Sequence, residues 1–268
     1  MVFLKDPCGI ACLSFTYVAI LYADFVVVRW IIIETMSDSS WGSFNIVLFN
    51  VILSLLLVSH FRAVFSDPGI VPLPRNRLDF SDIYSTQKND CGHTGWTVCT
   101  KCETYRPPRA YHCCICKRCI RRMDHHCPWI NNCVGERNQK YFMQFLLYVG
   151  LLCLYTFVLL AFSWTTECKV CGISILDRQA RMMHSIILLL ECILFGLFVL
   201  IILINQVQAI FEDETGVEQT QNMGNYRPRK PRLALLSDVC GRQYPILWLF
   251  PCTSVSKKFD TPLIDYHV

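Results

Sequence analysis

The sequence predicts an α-helical membrane protein with four transmembrane helices. A small zinc-stabilised cysteine-rich domain is expected on the cytosolic side, between spans two and three. Three observations predict it. The 268 residues are 53% hydrophobic and 17% charged, with a mean hydropathy of +0.35, where a soluble domain carries about 25% charged residues. Four apolar stretches, Ile10–Ile33, Phe44–Phe61, Tyr141–Trp164 and Met183–Phe211, each come near or exceed the ~20 residues that cross a bilayer. Between the second and third stretches lie eleven cysteines and histidines, from Cys99 to Cys133.

The elements follow in order. Residues 1–9 are a short cytosolic lead. The unit 10–62 holds the first two spans; no small-residue cleavage site precedes the first, so it is expected to be retained. Asp24 and Arg29 within it, like Asn45, Asn50, Glu191 and Asn205 in later spans, are read as polar contacts between helices. Residues 63–98 form a linker that opens with Asp67-Pro68-Gly69, a helix-stopping turn, and continues through the polar segment Leu73–His93. Residues 99–140 are the cysteine-rich domain, too short and too poor in aliphatic residues for a conventional core, so metal must supply much of its folding free energy. Residues 141–211 hold the last two spans. In the loop between them, Cys168 and Cys171 read equally well as a local disulfide or as two free thiols. The tail 212–268 contains an extended linker, Asn225–Arg232, and an apolar aromatic segment, Leu233–Cys252, expected to lie against the membrane or the cysteine-rich domain. It closes on Tyr266-His267-Val268, a weak match to ligands of carboxylate-binding grooves.

Basic residues set the orientation. Thirteen Lys/Arg lie in 62–140 and seven after position 211, against none in 34–43 and three in 165–182. The positive-inside rule then places both termini and the cysteine-rich domain in the cytosol. The net charge of +4, concentrated there, suits lipid headgroups or the phosphates of an acyl-CoA. Nucleic acid is excluded as a partner, because no basic helix is placed for a groove.

Clustered thiols in a reducing compartment point to metal or catalysis rather than disulfides. Two tetrahedral zinc sites consume eight ligands and leave three of the eleven residues. Spacing alone keeps the pairing open: Cys113-x-x-Cys116 and Cys116-x-x-Cys119 are both feasible, and Cys114 competes. If His125 and Cys127 are left over, a histidine and a thiol stand two positions apart beside Asp124. His125 can then raise the thiolate fraction of Cys127, and Asp124 can fix the imidazole tautomer.

In full the segment reads Cys-x2-Cys-x9-His-Cys-x2-Cys-x2-Cys-x4-Asp-His-His-Cys-x5-Cys, ending in Pro128-Trp129-Ile130-Asn131-Asn132-Cys133-Val134-Gly135. It resembles the DHHC cysteine-rich domain of protein S-acyltransferases (palmitoyltransferases). The resemblance implies one zinc site of Cys99, Cys102, His112 and Cys119 and another of Cys113, Cys116, His126 and Cys133. It also implies Cys127 as nucleophile, with His125 and Asp124 as its activating pair. Palmitoyl-CoA would be the acyl donor, and membrane-associated proteins with cytosolic cysteines the acceptors. Asp67-Pro68-Gly69 would pack near the catalytic domain. Thr215-Gly216-Val217-Glu218 resembles the family's Thr-Thr-x-Glu, with Gly216 replacing the second Thr and its side-chain hydrogen bond.

Candidates for the CoA phosphates are Arg121, Arg122, Arg137 and Lys140, with Trp129 among the further acyl-CoA contacts. Phe142, Phe145, Val149 and Leu152 share one face of the third span and are candidates for the wall of an acyl cavity. The resemblance is closest to short-tailed Golgi-type members, which implies the Golgi membrane ahead of the plasma membrane or endoplasmic reticulum. Two other classes remain: a zinc-stabilised membrane adaptor without chemistry, disfavoured by the intact Asp124, His125 and Cys127, and a small transporter, for which two scattered intramembrane acids outline no pathway.

Overall fold

A computed structural model describes residues 3–37, 39–73, 96–166, 174–222, 228 and 230–252. Cys168, Cys171 and Tyr266-His267-Val268 lie outside the described residues, as does most of the linker at 73–93. Four helices are long and apolar enough to cross a membrane: α1 (Pro7–Met36), α2 (Ser40–Phe65), α3 (Gln139–Thr165) and α4 (Ile175–Glu212). Each extends beyond the apolar stretch that announced it, because capping groups rather than the end of hydrophobicity set its limits. Asp6 accepts the Gly9 N–H at 2.8 Å, with Pro7 in the first turn, where its missing N–H costs nothing. Ser39 and Ser174 likewise accept N–H groups at the starts of α2 and α4. Within α1 the helix widens to π-helical turns over Val26–Ile32.

The outward faces are apolar, with Val18, Leu21, Val51, Leu154, Leu194 and Ile201 all exposed. Such a continuous belt marks a lipid-facing surface, so the chain is a multi-pass membrane protein. Phe49, Leu56, Phe145, Leu160 and Leu188 fill the interior, where α3 packs against both α2 and α4.

The cysteine-rich domain is built from three two-stranded antiparallel hairpins: β1–β2 (Thr97–Cys99, Thr104–Arg106), β3–β4 (Ala110–Cys113, Arg118–Arg121) and β5–β6 (His125–Cys127, Asn132–Val134). Three asparagines tie it to one end of the bundle. Asn131 Nδ2 donates to Leu4 O at 2.8 Å, just ahead of α1. Asn132 Nδ2 lies 3.0–3.2 Å from the carbonyls of Ala63, Val64 and Ser66, which the end of α2 leaves without helical partners. Asn138 donates to Cys133 O at 2.8 Å and accepts from Gly135 N at 2.9 Å, immediately before α3.

The Asp67-Pro68-Gly69 turn extends the β3–β4 hairpin, with Arg121 N donating to Gly69 O and Val71 N to Cys119 O, both at 2.9 Å. Asp67 holds the turn by accepting from Gly69 N and Ile70 N at 2.8 Å. After α4 come α5 (Gly216–Thr220) and α6 (Arg232–Cys240). The segment Leu233–Cys252 lies against the ends of the spans: Leu235 and Val239 pack on Ile210, Gln144 Nε2 donates to Trp248 O at 2.7 Å, and Arg62 reaches Pro251 O at 2.5 Å.

Candidate active site

Each hairpin of the cysteine-rich domain contributes to two ligand clusters by one rule. The β1–β2 turn carries Cys99 and Cys102. The β3–β4 turn carries Cys113 and Cys116. The residue after each pair, Glu103 or Lys117, adopts a left-handed conformation that turns the chain back. The remaining ligands are cross-strand partners in the next hairpin, His112 opposite Cys119 and His126 opposite Cys133. The resulting clusters, Cys99–Cys102–His112–Cys119 and Cys113–Cys116–His126–Cys133, have their ligand atoms within 4.8 Å of one another.

Zinc at ~2.3 Å from sulfur and ~2.05 Å from nitrogen in a tetrahedron sets S···S near ~3.8 Å and S···N near ~3.5 Å. In the first cluster His112 Nδ1 is 3.6, 3.1 and 4.0 Å from the sulfurs of Cys99, Cys102 and Cys119. In the second, His126 Nδ1 is 3.8, 3.4 and 3.6 Å from those of Cys113, Cys116 and Cys133. Both clusters therefore fit a closed zinc site, and a zinc bound there would act as a structural cross-link.

Alternation along β5 separates metal from chemistry. His126 turns to its cluster, so His125 and Cys127 face the other side of the strand. His125 Nδ1 donates to Asp124 Oδ2 at 2.7 Å, and Cys127 is the second group that acts on the imidazole. Burial opposes charge on the imidazole, but these partners outweigh it and push its pKa up to about 9. The raised pKa makes the imidazole a stronger proton acceptor beside the Cys127 sulfur. Asp124, itself buried, accepts two further hydrogen bonds at 2.7 Å, from Gln206 Nε2 in α4 and from Gly216 N at the start of α5. Burial works to raise its carboxyl, yet these donors hold it below the usual carboxylate range.

Gly216 comes so close that an added Cβ would lie 3.1 Å from Asp124 O. Its N–H is positioned by a capping box in which Thr215 and Glu218 exchange hydrogen bonds. Arg109 grips Glu218 through two bonds of 2.8 Å and Asp213 through two of 2.9 Å, to its carboxylate and its carbonyl.

A cavity opens between the helices beneath this triad. His125, Cys127 and Trp129 line it at one end. Phe142, Phe145, Val149 and Leu152 of α3 line its wall, with Thr156 and Glu191 among the other lining residues.

A family model described as DHHC palmitoyltransferase matches residues 93–223. The chain is 36% identical over 258 residues to Palmitoyltransferase ZDHHC3 of Rattus norvegicus, covering 94% of this chain and 83% of that one. The chain belongs to the DHHC palmitoyltransferase family. It is thus a protein-cysteine S-palmitoyltransferase. It is also 34% identical over 256 residues to Palmitoyltransferase ZDHHC7 of Mus musculus, covering 93% and 80% of the two chains. Similarity to Probable protein S-acyltransferase 12 of Arabidopsis thaliana is 41% over 143 residues, covering 50% and 48%.

The palmitoyltransferase thus brings together Asp124, His125, Cys127, Trp129 and the α3 face expected from the sequence. The four basic candidates lie elsewhere, and none is on the cavity wall. Arg122 pairs with Asp213 at 3.4 Å and Arg137 with Asp67 at 2.6 Å. Lys140 is buried in the first turn of α3, and Arg121 closes β4. Cys114 is exposed, apart from both clusters.

Sequence reasoning missed Gln206, Arg109, the backbone of Gly216 and His60. The His60 ring joins Tyr17 OH to Trp129 O, each at 3.1 Å, and so fixes the segment after Cys127. Gln206 and His60 carried one usable signal, a polar side chain inside an apolar helix.

Proposed function

We propose that this palmitoyltransferase works through an acyl thioester on Cys127. The observation that carries the reading is the placement of the Cys127 sulfur, with the His125 imidazole beside it, at one end of an apolar cavity. The Cys127 thiol gives its proton to His125. The thiolate attacks the carbonyl carbon of palmitoyl-CoA, the bond to the CoA sulfur breaks, and His125 returns the proton to the departing CoA thiolate. His125 then takes the proton of a target cysteine, whose sulfur attacks the acyl-Cys127 carbonyl and releases Cys127 as thiolate. Asp124, held by Gln206 and Gly216, orients the imidazole throughout.

The acyl tail lies along Phe142, Phe145, Val149 and Leu152. Arg121, Arg122, Arg137 and Lys140 supply a positive field for the CoA phosphates; Arg122 and Arg137 do so as charges shared with Asp213 and Asp67. Two zinc ions, held by the two Cys3His clusters, fix the hairpins. The basic bias places this end of the bundle in the cytosol, where the acceptors are cysteines of membrane-associated proteins. Likeness to ZDHHC3 supports the Golgi membrane as the site of action.

Purified protein given radiolabelled palmitoyl-CoA should form a hydroxylamine-sensitive adduct at Cys127 that a target thiol discharges. An adduct undiminished in Cys127→Ser would overturn the reading.

A further inference from the structure

The first turns of α1 hold two cysteines that the reaction above does not use. Cys8 is exposed and Cys12 half-buried. Spacing of four residues places them one above the other on the helix. The helix end is pressed onto the segment that follows Cys127. An added Cβ at Gly9 would collide with the Asn131 side chain, and Asn131 is itself bonded to Leu4 O at 2.8 Å. Phe15 meets Trp129 with ring centres 6.3 Å apart.

One turn below Cys12, Thr16 donates to Cys12 O at 2.9 Å and lines the same cavity as Cys127. Cys12 therefore sits about 6 Å nearer the cytosolic end than Thr16, from ~1.5 Å rise per residue. Cys12 shares a face of α1 with Gly9 and Thr16, the face turned toward Asn131 and the cavity that Cys127 lines.

Resting on the reading that Cys127 carries the acyl thioester, we propose that the start of α1 is a second acyl-acceptor site, where Cys12, and through it Cys8, takes the long-chain acyl group from Cys127 of the same chain. The step is thioester exchange. The Cys12 sulfur attacks the acyl carbonyl carbon, the C–S bond to Cys127 breaks, and the proton released from Cys12 ends on Cys127 or His125. One thioester is consumed and one formed, with no oxidant or reductant. A second exchange moves the group to Cys8. There, Asp6 starts the helix, and the exposed Phe15, seven residues on and so on the face of Cys8, gives the chain a path into lipid.

The test uses the full chain in lipid nanodiscs with zinc retained. It is given palmitoyl-CoA without a protein acceptor, and the peptides that carry Cys127 and Cys8/Cys12 are read by mass spectrometry. Wild type should show hydroxylamine-labile adducts on both peptides. Cys12→Ser should keep the Cys127 adduct and lose at least tenfold of the amino-terminal one. Cys127→Ser should lose at least tenfold of the amino-terminal adduct although Cys8 and Cys12 remain. Equal labelling of the amino-terminal peptide in Cys127→Ser would make CoA the direct donor and overturn the inference. So would a wild-type Cys127 adduct beside a bare amino-terminal peptide. Absence of any Cys127 adduct in wild type would instead overturn the reading on which the inference rests.

Discussion

Asp124 spends both its oxygens on three donors from three parts of the chain, while Cys127 is not among the eight residues of the two metal clusters. The consequence for Cys127→Ser is a protein that cannot form the acyl adduct yet keeps two zinc ions per chain by elemental analysis. Loss of one zinc would mean that Cys127 is a ligand after all. Cys133→Ser removes a ligand directly opposite His126 and should lose zinc and activity together. His125 gives a pH signature. Its pKa is raised from 6.5 to about 9, so its contribution to stability is complete below its ordinary value and is lost as pH rises through about 9. Thermal midpoints in detergent, with zinc maintained, should fall over that window in wild type and stay flat in His125→Gln. Equal pH slopes in the two proteins would remove the charged imidazole from the account. At this scale the soft ligands were legible, because cysteine and histidine have few other reasons to cluster in a reducing compartment. Their division between two metals rested on resemblance until cross-strand pairing supplied the rule. Gln206 stood out as polar within an apolar helix, but its partner was not legible, since a bond to a residue 82 positions away leaves no local pattern.

Among the elements, α5 has only five residues and would not persist alone. Arg109 makes it part of the site by tying Glu218 and the end of α4 to the start of β3. Arg109→Ala leaves Glu218, only 1% exposed, without its charged partner, at a cost on the order of 3 kcal/mol. The expected result is a lower thermal midpoint together with weaker acyl-enzyme formation, because Gly216 N then loses its fixed position against Asp124. Unchanged activity in Arg109→Ala would show that the capping box holds its place unaided. The Thr-Gly-x-Glu departure looked from sequence like a lost hydrogen bond. The structure replaces it with a backbone N–H bond to Asp124, in space a side chain would crowd. Helix ends were the least legible elements: hydrophobicity marks the part of a span within lipid, whereas Asp6, Ser39 and Ser174 end the hydrogen-bond ladder several residues outside it.

For the whole molecule, the four-span architecture followed from composition because so much apolar surface has no other stable place. The attachment of the metal domain to the bundle did not, since it rests on asparagine side chains and main-chain carbonyls rather than on any periodicity. Their joining makes α3 both the continuation of the domain and the wall of the cavity. Leu152 lies ten residues beyond Phe142 in that helix, or about 15 Å deeper. Leu152→Phe should therefore shift the Cys127 adduct toward shorter acyl chains, and Leu152→Ala toward longer ones, in competition among C14, C16 and C18 acyl-CoAs. Identical profiles in all three proteins would mean that the chain stops elsewhere. The long reach of Asp124 to Gln206 and Gly216, 82 and 92 positions later, also orders events during synthesis. A ribosome releases the metal hairpins, sulfur included, well before it has made the groups that aim the imidazole. On the reading proposed above, the growing chain holds its sulfur before the groups that fix Asp124, so acyl transfer is expected only once the last helix has been threaded into the bilayer.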